Sequence, residues 1–211
     1  MRDPLAIVEH GYDAIAPRYL AARLEHVTPE EEAFLRRAVD AVPPGGSVVD
    51  LGCGPGVPYT AALSAVAHVI GVDLSMHQLR LARNRVPTAG LVKADMSTFA
   101  LRPGSVDAVT AFASIGHLPR DRHAGLYRSI ASWLRPGRPF VSQHPTGDNP
   151  EQLEEDWLGA PMYFSHPTLS GTLELLQQAG FVVDEVHEVR GLEDDDTEAT
   201  WAGIVARVPP A

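Results

Sequence analysis

The sequence predicts a doubly wound α/β fold, in which a mostly parallel sheet is covered by helices on both faces. Short apolar, β-branched segments alternate along the chain with segments of helical periodicity, which is the order expected of parallel strands joined by crossover helices. The apolar segments are continuous, as in Val-Ile-Gly-Val at 69–72, because a strand between two helical layers is buried on both sides. The last two strands have no helix between them, so we expect them to pair antiparallel at one edge.

Two helices are expected before the first strand. Residues 3–23 have apolar side chains near helical spacing, and Pro17 is expected to break or restart that helix. The sequence Thr-Pro-Glu-Glu at 28–31 predicts the start of a second helix. Thr28 can cap its first turn there, and Glu31 occupies the capping-box position.

From residue 47 onward, strands and helices alternate. The predicted strands cover residues 47–51, 68–73, 90–95, 106–113, 138–143, 181–189 and 199–208. The predicted helices cover residues 57–67 and 75–85, and two more are marked by Leu126, Ile130 and Leu134 and by Leu169, Leu173 and Leu176. We expect one domain with four parts: N-terminal helices that form a lid (1–42), a cofactor-binding core (43–146), a substrate-side lid insertion (147–168), and the last helix with two final strands (169–211).

The segment 149–166 shows no clear periodicity, and we expect it to form an irregular lid on the substrate side. Trp157, Met162, Tyr163 and His166 would form the wall of an apolar substrate pocket there. A small satellite core beneath a surface loop has the same composition. Both interpretations remain open at the level of sequence.

The composition argues against several classes of partner. The chain has 211 residues, with 17 Lys and Arg against 27 Asp and Glu and a net charge of −10. Nucleic acids and anionic membranes attract cationic proteins, so we expect neither as a partner. The single cysteine, Cys53, cannot form a disulfide within the chain, and no apolar segment approaches the roughly 20 residues of a membrane-spanning helix. With no signal-peptide pattern at its N-terminus, a cytoplasmic location is expected.

A glycine-rich turn follows the first strand, which ends near Asp50. In an open parallel sheet, ligands bind beyond the carboxyl ends of the strands, so this turn is a candidate ligand site. A dinucleotide pyrophosphate site has the pattern G-x-G-x-x-G, whereas here Gly52, Gly54 and Gly56 give G-x-G-x-G, with Val57 where the third glycine should be. This spacing favours a ligand without phosphates, although a merely structural turn has a similar composition.

Two further acids follow the next two strands. Asp73 lies about 20 residues after Gly52, where a carboxylate can accept hydrogen bonds from both hydroxyls of a ribose. Asp95 can accept a hydrogen bond from the exocyclic amine of a base, and Met96 can cover that base with apolar surface. The alternative interpretations are a helix-capping acid at Asp73 and a loop acid at Asp95.

Five motifs in register resemble those of the class I S-adenosylmethionine-dependent methyltransferases. They lie at 48–56 (VVDLGCGPG), 72–75 (VDLS), 94–96 (ADM), 106–109 (VDAV) and 134–138 (LRPGR). The resemblance implies a Rossmann-like, seven-stranded sheet with an antiparallel last strand. It also implies S-adenosyl-L-methionine as the cofactor and S-adenosyl-L-homocysteine as its product.

The resemblance extends to the N-terminal helix, where Tyr12 and Tyr19 look like the lid tyrosines of small-molecule methyltransferases. Together with Phe112, their rings could hold a sulfonium by cation–π attraction, although simple helix packing with wet hydroxyls is the alternative for the tyrosines. The cofactor contacts expected in all are Tyr12, Tyr19, Asp50, Gly52, Gly54, Gly56, Asp73, Leu74, Asp95, Met96 and Phe112.

Two histidines are candidates for a general base, because a hydroxyl or amine acceptor must lose a proton and histidine titrates near neutral pH. His117 follows the fourth strand and His144 ends the fifth, and both loops are expected to face the substrate. Each also fits a residue that only shapes the pocket. No histidine and acid have metal-ligand spacing on one helix face, so no metal is expected.

The function predicted from the sequence is therefore methyl transfer to an O, N or C nucleophile of a small molecule, by a monomer or homodimer. One alternative is a nicotinamide-dependent oxidoreductase, which the glycine spacing and the lack of a Tyr-x-x-x-Lys pair disfavour, since Lys93 is the only lysine. The other alternative is a non-catalytic protein that uses the same fold to bind a ligand.

Overall fold

A seven-stranded sheet forms the centre of the computed structural model, which describes residues 3–25, 27–192 and 198–210. The strands are β1 (Ser47–Leu51), β2 (His68–Asp73), β3 (Gly90–Lys93), β4 (Ala108–Phe112), β5 (Pro139–Pro145), β6 (Asn149–Trp157), β7 (Ala160–His166), β8 (Val182–Leu192) and β9 (Glu198–Arg207). The helices are α1 (Pro4–Glu25), α2 (Pro29–Ala41), α3 (Tyr59–Ser64), α4 (Met76–Arg85), α5 (Arg120–Trp133) and α6 (Leu169–Gln178), with a short 3-10 helix at Ile115–His117.

The strand order in the large sheet is β3-β2-β1-β4-β5-β9-β8. The first five of these strands are parallel, and β9 lies antiparallel between β5 and β8. The predicted Rossmann-like architecture, with its antiparallel last strand, is thus confirmed. The chain runs from β1 to β2 on one side and returns to β4 on the other, so the order reverses between β1 and β4 and opens a crevice at their carboxyl ends.

Two apolar clusters, one assembled around α5 and α6 and the other around α2 and α3, hold the helices on the sheet. The strands between them are buried on both faces, and every residue of β4 is buried. Helix α2 approaches the sheet closely because Gly203 of β9 has no side chain. A Cβ at that position would lie 2.5 Å from Cε2 of Phe34.

Helix α1 runs without interruption through Pro17, so the expected break is wrong. A proline inside a helix leaves the carbonyl four residues earlier without its usual partner. That carbonyl belongs to Asp13, and the Nδ1 of His77 donates to it over 2.7 Å. A side chain of α4 thus replaces the missing backbone bond, while Ile15 and Leu20 stay buried and anchor the helix on either side of Pro17.

The second helix begins as predicted. The side-chain oxygen of Thr28 accepts from the backbone N–H of Glu31, and the Glu31 carboxylate accepts from the backbone N–H of Thr28. Three other elements are shorter than expected. The third strand stops at Lys93, the fourth covers 108–112, and the third helix covers only 59–64.

The segment 149–166 is a β-hairpin, β6–β7, with two register shifts in its pairing, and not an irregular loop. Positive φ angles at Leu158 and Gly159 form its two-residue turn, which matches the twist of the paired strands. Strand β6 carries mostly exposed acidic side chains, whereas Met162 and Tyr163 of β7 are buried against α1. None of the helices described in the structure is long and apolar enough to cross a membrane.

Candidate functional site

A cleft lies at the carboxyl ends of β1, β2, β3 and β4, beneath helix α1. Four side chains of α1 cover it, and the segments that follow the four strands form its floor. The residues that line it are Leu5, Val8, Tyr12, Tyr19, Gly52, Gly54, Asp73, Leu74, Asp95, Met96, Phe112, Ala113, Ser114, His117 and Leu118. Nine of the eleven residues expected to contact a cofactor are in this set.

The glycine turn is fixed by close backbone packing. Gly52 has a φ of +72°, and a Cβ there would lie 2.2 Å from Cβ of Ser114. The Ser114 hydroxyl donates to the carbonyl of Leu51, and the Gly52 N–H donates to the carbonyl of Val72. Only glycine therefore fits at Gly52, and the turn leaves its backbone facing the cleft.

Two residues of the predicted cofactor set lie behind the turn, not on the cleft. Gly56 packs on α4, where a Cβ would lie 3.0 Å from Cγ2 of Val86. Asp50 is fully buried, and its carboxylate accepts from the hydroxyls of Thr60 and Thr110 over 2.6 and 2.8 Å. Burial raises the pKa of Asp50 even though both hydroxyls favour its charged form. Both residues hold the turn in place from behind, and their contact with a cofactor stays a prediction.

Asp73 lies at the end of β2 and faces the cleft. Its Oδ2 accepts from the backbone N–H of Gly54, and its Oδ1 accepts from that of Ser75, both over 2.8 Å. Burial raises the pKa of Asp73 to about 6 in spite of these two bonds. Each carboxylate oxygen can accept more than one hydrogen bond, so further donors from a ligand would stabilise the charged form.

Asp95 faces the same cleft next to Met96, two residues beyond the end of β3. Its carboxylate accepts from the backbone N–H and the hydroxyl of Ser97, each over 2.8 Å, and lies 3.3 Å from Nη1 of Arg122. Among the described residues that line the cleft, Asp73 and Asp95 are the only acids, and there is no lysine or arginine. The cleft therefore suits a neutral or cationic ligand and disfavours a phosphate.

The α1 side of the cleft is aromatic. The rings of Tyr12 and Tyr19 meet edge to face with centroids 5.2 Å apart. The ring of Trp157, in the hairpin, lies 5.5 Å from Tyr12 and 6.0 Å from Tyr19. On the opposite wall, Phe112 stacks on Tyr59 with centroids 3.9 Å apart.

His117 lines the cleft but is poorly suited to act as a base. Its Nε2 lies 2.8 Å from the Tyr12 hydroxyl, and its Nδ1 lies 2.9 Å from the carbonyl of Tyr163. Burial lowers the pKa of His117 to about 4. Both ring nitrogens have partners and the ring is a weak base, so the geometry does not favour proton abstraction by His117.

His144 does not reach the cleft, so its expected place in a substrate-facing loop is wrong. It lies inside β5, is buried, and pairs its Nε2 with the hydroxyl of Ser142 over 2.9 Å. Burial lowers its pKa to about 3. Strand β5 continues to Pro145 because it pairs with β9 up to that residue, and this turns His144 into the protein interior.

The four predicted substrate-pocket residues are not among those lining the cleft. Met162 and Tyr163 are buried between β7 and α1, Trp157 packs on the two tyrosines, and the Nδ1 of His166 lies 3.2 Å from the carbonyl of Gly147. Their direct contact with a substrate stays a prediction. The hairpin forms a second layer outside α1, because its apolar side chains face that helix.

A second, smaller pocket adjoins the cleft across the glycine turn, and sequence reasoning missed it. Arg23, Glu31, Tyr59 and Gln143 supply its polar side chains. Nη2 of Arg23 donates to Oε1 of Glu31 over 3.0 Å, and the Tyr59 hydroxyl donates to Oε1 of Gln143 over 3.1 Å. One signal was present in the sequence: Arg23 follows Tyr19 by four residues and so lies on the same face of α1.

No group of histidine, cysteine and acidic residues in the described part of the chain could hold a metal ion. The chemistry available at the site is thus that of two partly buried carboxylates, aromatic rings, a backbone turn and one arginine in the adjoining pocket.

Comparison with known proteins relates the core of the chain to methyltransferases. A family model described as a methyltransferase domain matches residues 48–137. The trans-aconitate 2-methyltransferase of Paracidovorax citrulli (strain AAC00-1) is 36% identical over 126 residues, which cover 57% of this chain and 46% of that protein. The ubiquinone biosynthesis O-methyltransferase of Ralstonia nicotianae (strain ATCC BAA-1114 / GMI1000) is 36% identical over 98 residues, which cover 44% of this chain and 40% of that protein. The matched segment therefore spans less than half of either relative.

A solved structure shares the fold over nearly the whole chain. The 1,6-didemethyltoxoflavin-N1-methyltransferase of Burkholderia thailandensis, crystallised with 1,6-didemethyltoxoflavin and S-adenosylhomocysteine, superposes with a TM-score of 0.71 at 19% identity. The superposition covers 99% of this chain and 92% of that one. The chain thus contains a segment that matches a methyltransferase domain, and it shares the fold of a solved methyltransferase along nearly its whole length.

Proposed function

We propose that this protein transfers the methyl group of S-adenosyl-L-methionine to an O, N or C nucleophile of a small molecule, leaving S-adenosyl-L-homocysteine. One observation carries the proposal: the cleft joins two carboxylates and aromatic rings to a glycine turn, with no cation among its described lining residues. That combination suits a positively charged nucleoside and opposes a pyrophosphate.

The residues present fit this cofactor. Asp73 is buried with acceptor capacity to spare, as a pair of ribose hydroxyls requires. Asp95 and Met96 offer an acceptor and an apolar surface to an adenine. The aminoacyl carboxylate needs a cation, and Arg23 supplies one in the adjoining pocket. Only one of its five N–H donors is needed for Glu31.

When bound, the cofactor supplies an activated methyl group on a sulfonium. The chain has to hold the acceptor in line with that group and keep water out. Tyr12, Tyr19 and Phe112 place aromatic rings around the cleft, and these attract a cation while they exclude water. No fixed anion needs to approach the sulfur itself, because its charge disappears in the transfer.

The acceptor is proposed to be a small molecule. The relatives named above act on different acceptors, and two of them methylate at oxygen and at nitrogen by name, so the fold leaves the atom open. A net charge of −10 disfavours nucleic acid as the acceptor. We further propose that the protein works in the cytoplasm as a monomer or homodimer, in keeping with its one buried cysteine and its acidic surface.

The test is a transfer assay with a cofactor labelled at its methyl group and fractionated small-metabolite extracts. We expect the label to enter at least one small compound. Transfer into RNA, DNA or protein alone, with every small-molecule fraction unlabelled, would contradict the proposed acceptor class.

A further inference from the structure

His117 lies where three elements meet. It ends the 3-10 helix that follows β4, its Nε2 lies 2.8 Å from the hydroxyl of Tyr12 on α1, and its Nδ1 lies 2.9 Å from the backbone carbonyl of Tyr163 on β7. The side chain is almost fully buried. One imidazole therefore bridges the helix that covers the cleft and the hairpin that packs outside that helix.

The direction of both hydrogen bonds follows from the partners. A carbonyl oxygen can only accept, so Nδ1 of His117 carries the proton. The other nitrogen of a neutral imidazole is then an acceptor, and the Tyr12 hydroxyl donates to it. Burial, which lowers the pKa of His117 to about 4, keeps the ring neutral near pH 7 and so preserves this arrangement.

Ring packing reinforces the same junction. The centroid of Trp157 lies 5.5 Å from that of Tyr12, and Phe164 lies 4.9 Å from His117 and 5.8 Å from Trp157. The rings of the hairpin thus contact three residues that line the cleft, Tyr12, Tyr19 and His117, although none of the described lining residues belongs to the hairpin.

We propose that His117 is a positioning residue that holds Tyr12 over the cleft and couples α1 to the β6–β7 hairpin, so that a ligand bound beneath α1 also closes the hairpin. This inference rests on the proposed function, because the ligand in question is the cofactor. With its proton committed to His117, the Tyr12 hydroxyl can offer only its oxygen lone pairs to that ligand.

The experiment follows amide hydrogen exchange by mass spectrometry with and without S-adenosyl-L-homocysteine. Two single variants break the same bond from opposite ends. Tyr12→Phe removes the donor. His117→Asn removes the acceptor but keeps an amide nitrogen near the position of Nδ1, so the bond to the Tyr163 carbonyl can persist. His68→Asn, on the exposed first residue of β2, is the matched control.

In the parent protein and in His68→Asn, we expect the ligand to slow exchange in both α1 and residues 149–166. In Tyr12→Phe and His117→Asn, the protection of the hairpin should fall about tenfold, the change expected for one buried hydrogen bond, while that of α1 persists. The double variant should lose no more protection than His117→Asn alone, because both variants remove the same hydrogen bond and only His117→Asn also removes the ring contact with Phe164.

Two results would overturn the inference while leaving the proposed function intact. One is ligand-induced hairpin protection that survives in either single variant, and the other is a double variant whose loss is the sum of the two. A parent protein that gives no calorimetric heat with the ligand would remove the proposed function and the inference together.

Discussion

Asp73 is the residue on which the proposed recognition of the cofactor depends most. Its side chain is held by backbone N–H groups of Gly54 and Ser75, which face the carboxylate from two turns. The two bonds fix its orientation but only partly offset the cost of burying its charge, because its pKa is still raised. A ligand that donates further hydrogen bonds would recover that cost.

Cofactor affinity should therefore depend on pH. With the pKa of Asp73 raised to about 6, the carboxylate is mostly ionised at pH 7.5 and mostly protonated at pH 5. Protonation removes acceptor capacity, so we expect affinity to be constant above about pH 7 and to fall by up to about tenfold per unit below pH 6. Calorimetric titration with S-adenosyl-L-homocysteine from pH 5 to 8 measures this.

Asp73→Asn is the control for that titration. It should bind S-adenosyl-L-homocysteine about 10–100-fold more weakly at pH 7.5, because a charged acceptor is lost. Its affinity should also depend much less on pH. A parent protein with the same affinity at pH 5.5 and 7.5 would show that Asp73 does not contact the ligand.

Arg23 gives a second test at the scale of single residues. We expect Arg23→Met to weaken the binding of S-adenosyl-L-homocysteine by about 10–100-fold, since a charged hydrogen-bonding partner is lost. The affinity for 5′-deoxy-5′-methylthioadenosine should not change, because that nucleoside has no carboxylate. Unchanged nucleoside binding also shows that the cleft remains folded. Arg37→Met, at an exposed arginine paired with Glu185, is the matched control. Equal losses for both ligands would remove the proposed carboxylate contact.

The sequence predicted the acids of the cleft better than its histidines. The place of Asp73 and Asp95 could be predicted because each lies at or just beyond the end of a strand, and parallel strands all end at the same edge of the sheet. A histidine's role depends on which way its ring turns and on what meets it. His144 was missed because β5 runs two residues further than expected, and the partners of His117 come from elements distant in sequence.

At the scale of elements, α1 is held in place by more than apolar packing. Oδ1 of Asp13 accepts from the Ser75 hydroxyl and from the backbone N–H of His77, so the helix is bonded to the start of α4. Nearer its N-terminus, Lys93 pairs with Glu9. These polar contacts lie on the outer side of the cleft and keep α1 closed over it.

Asp13→Ala should release that end of the lid. We expect the free energy of unfolding to fall by about 1–2 kcal/mol, because two hydrogen bonds to a partly exposed carboxylate are lost. Exchange of the α1 amides should accelerate more than that of the central strands. Chemical denaturation and hydrogen exchange measure the two effects.

Asp40→Ala, on the exposed side of α2, is the control and should change the free energy of unfolding by less than about 0.5 kcal/mol. Unchanged α1 exchange in Asp13→Ala would show that this contact does not hold the helix.

Elements with a strong local signal were predictable, and those that depend on distant partners were not. The capping box of α2 lies within four residues and forms as expected. The hairpin at 149–166 was not recognised, because its exposed strand shows no alternation of apolar and polar residues and its buried strand faces a helix more than 130 residues earlier. The unbroken α1 likewise requires His77, which lies 60 residues beyond Pro17.

At the scale of the whole molecule, the layered α/β architecture was more predictable than the strand order. Alternating elements, continuous apolar strands and right-handed crossovers leave few arrangements open. The strand order places the crevice between β1 and β4. The glycine turn follows β1 and Asp73 ends β2, so the two are distant in sequence but lie together at this crevice. The adjoining pocket was unpredictable because it needs α1, α2, α3, β4, β5 and β9 at once.

The central claim is that the cleft recognises a sulfonium nucleoside and rejects a dinucleotide. Isothermal titration calorimetry of the purified protein against S-adenosyl-L-methionine, S-adenosyl-L-homocysteine and NADH, under one set of conditions, tests it most directly. We predict saturable heat at one site per chain with the first two ligands and none with NADH. Binding of NADH, or no heat with either of the adenosyl ligands in a correctly folded sample, would contradict it.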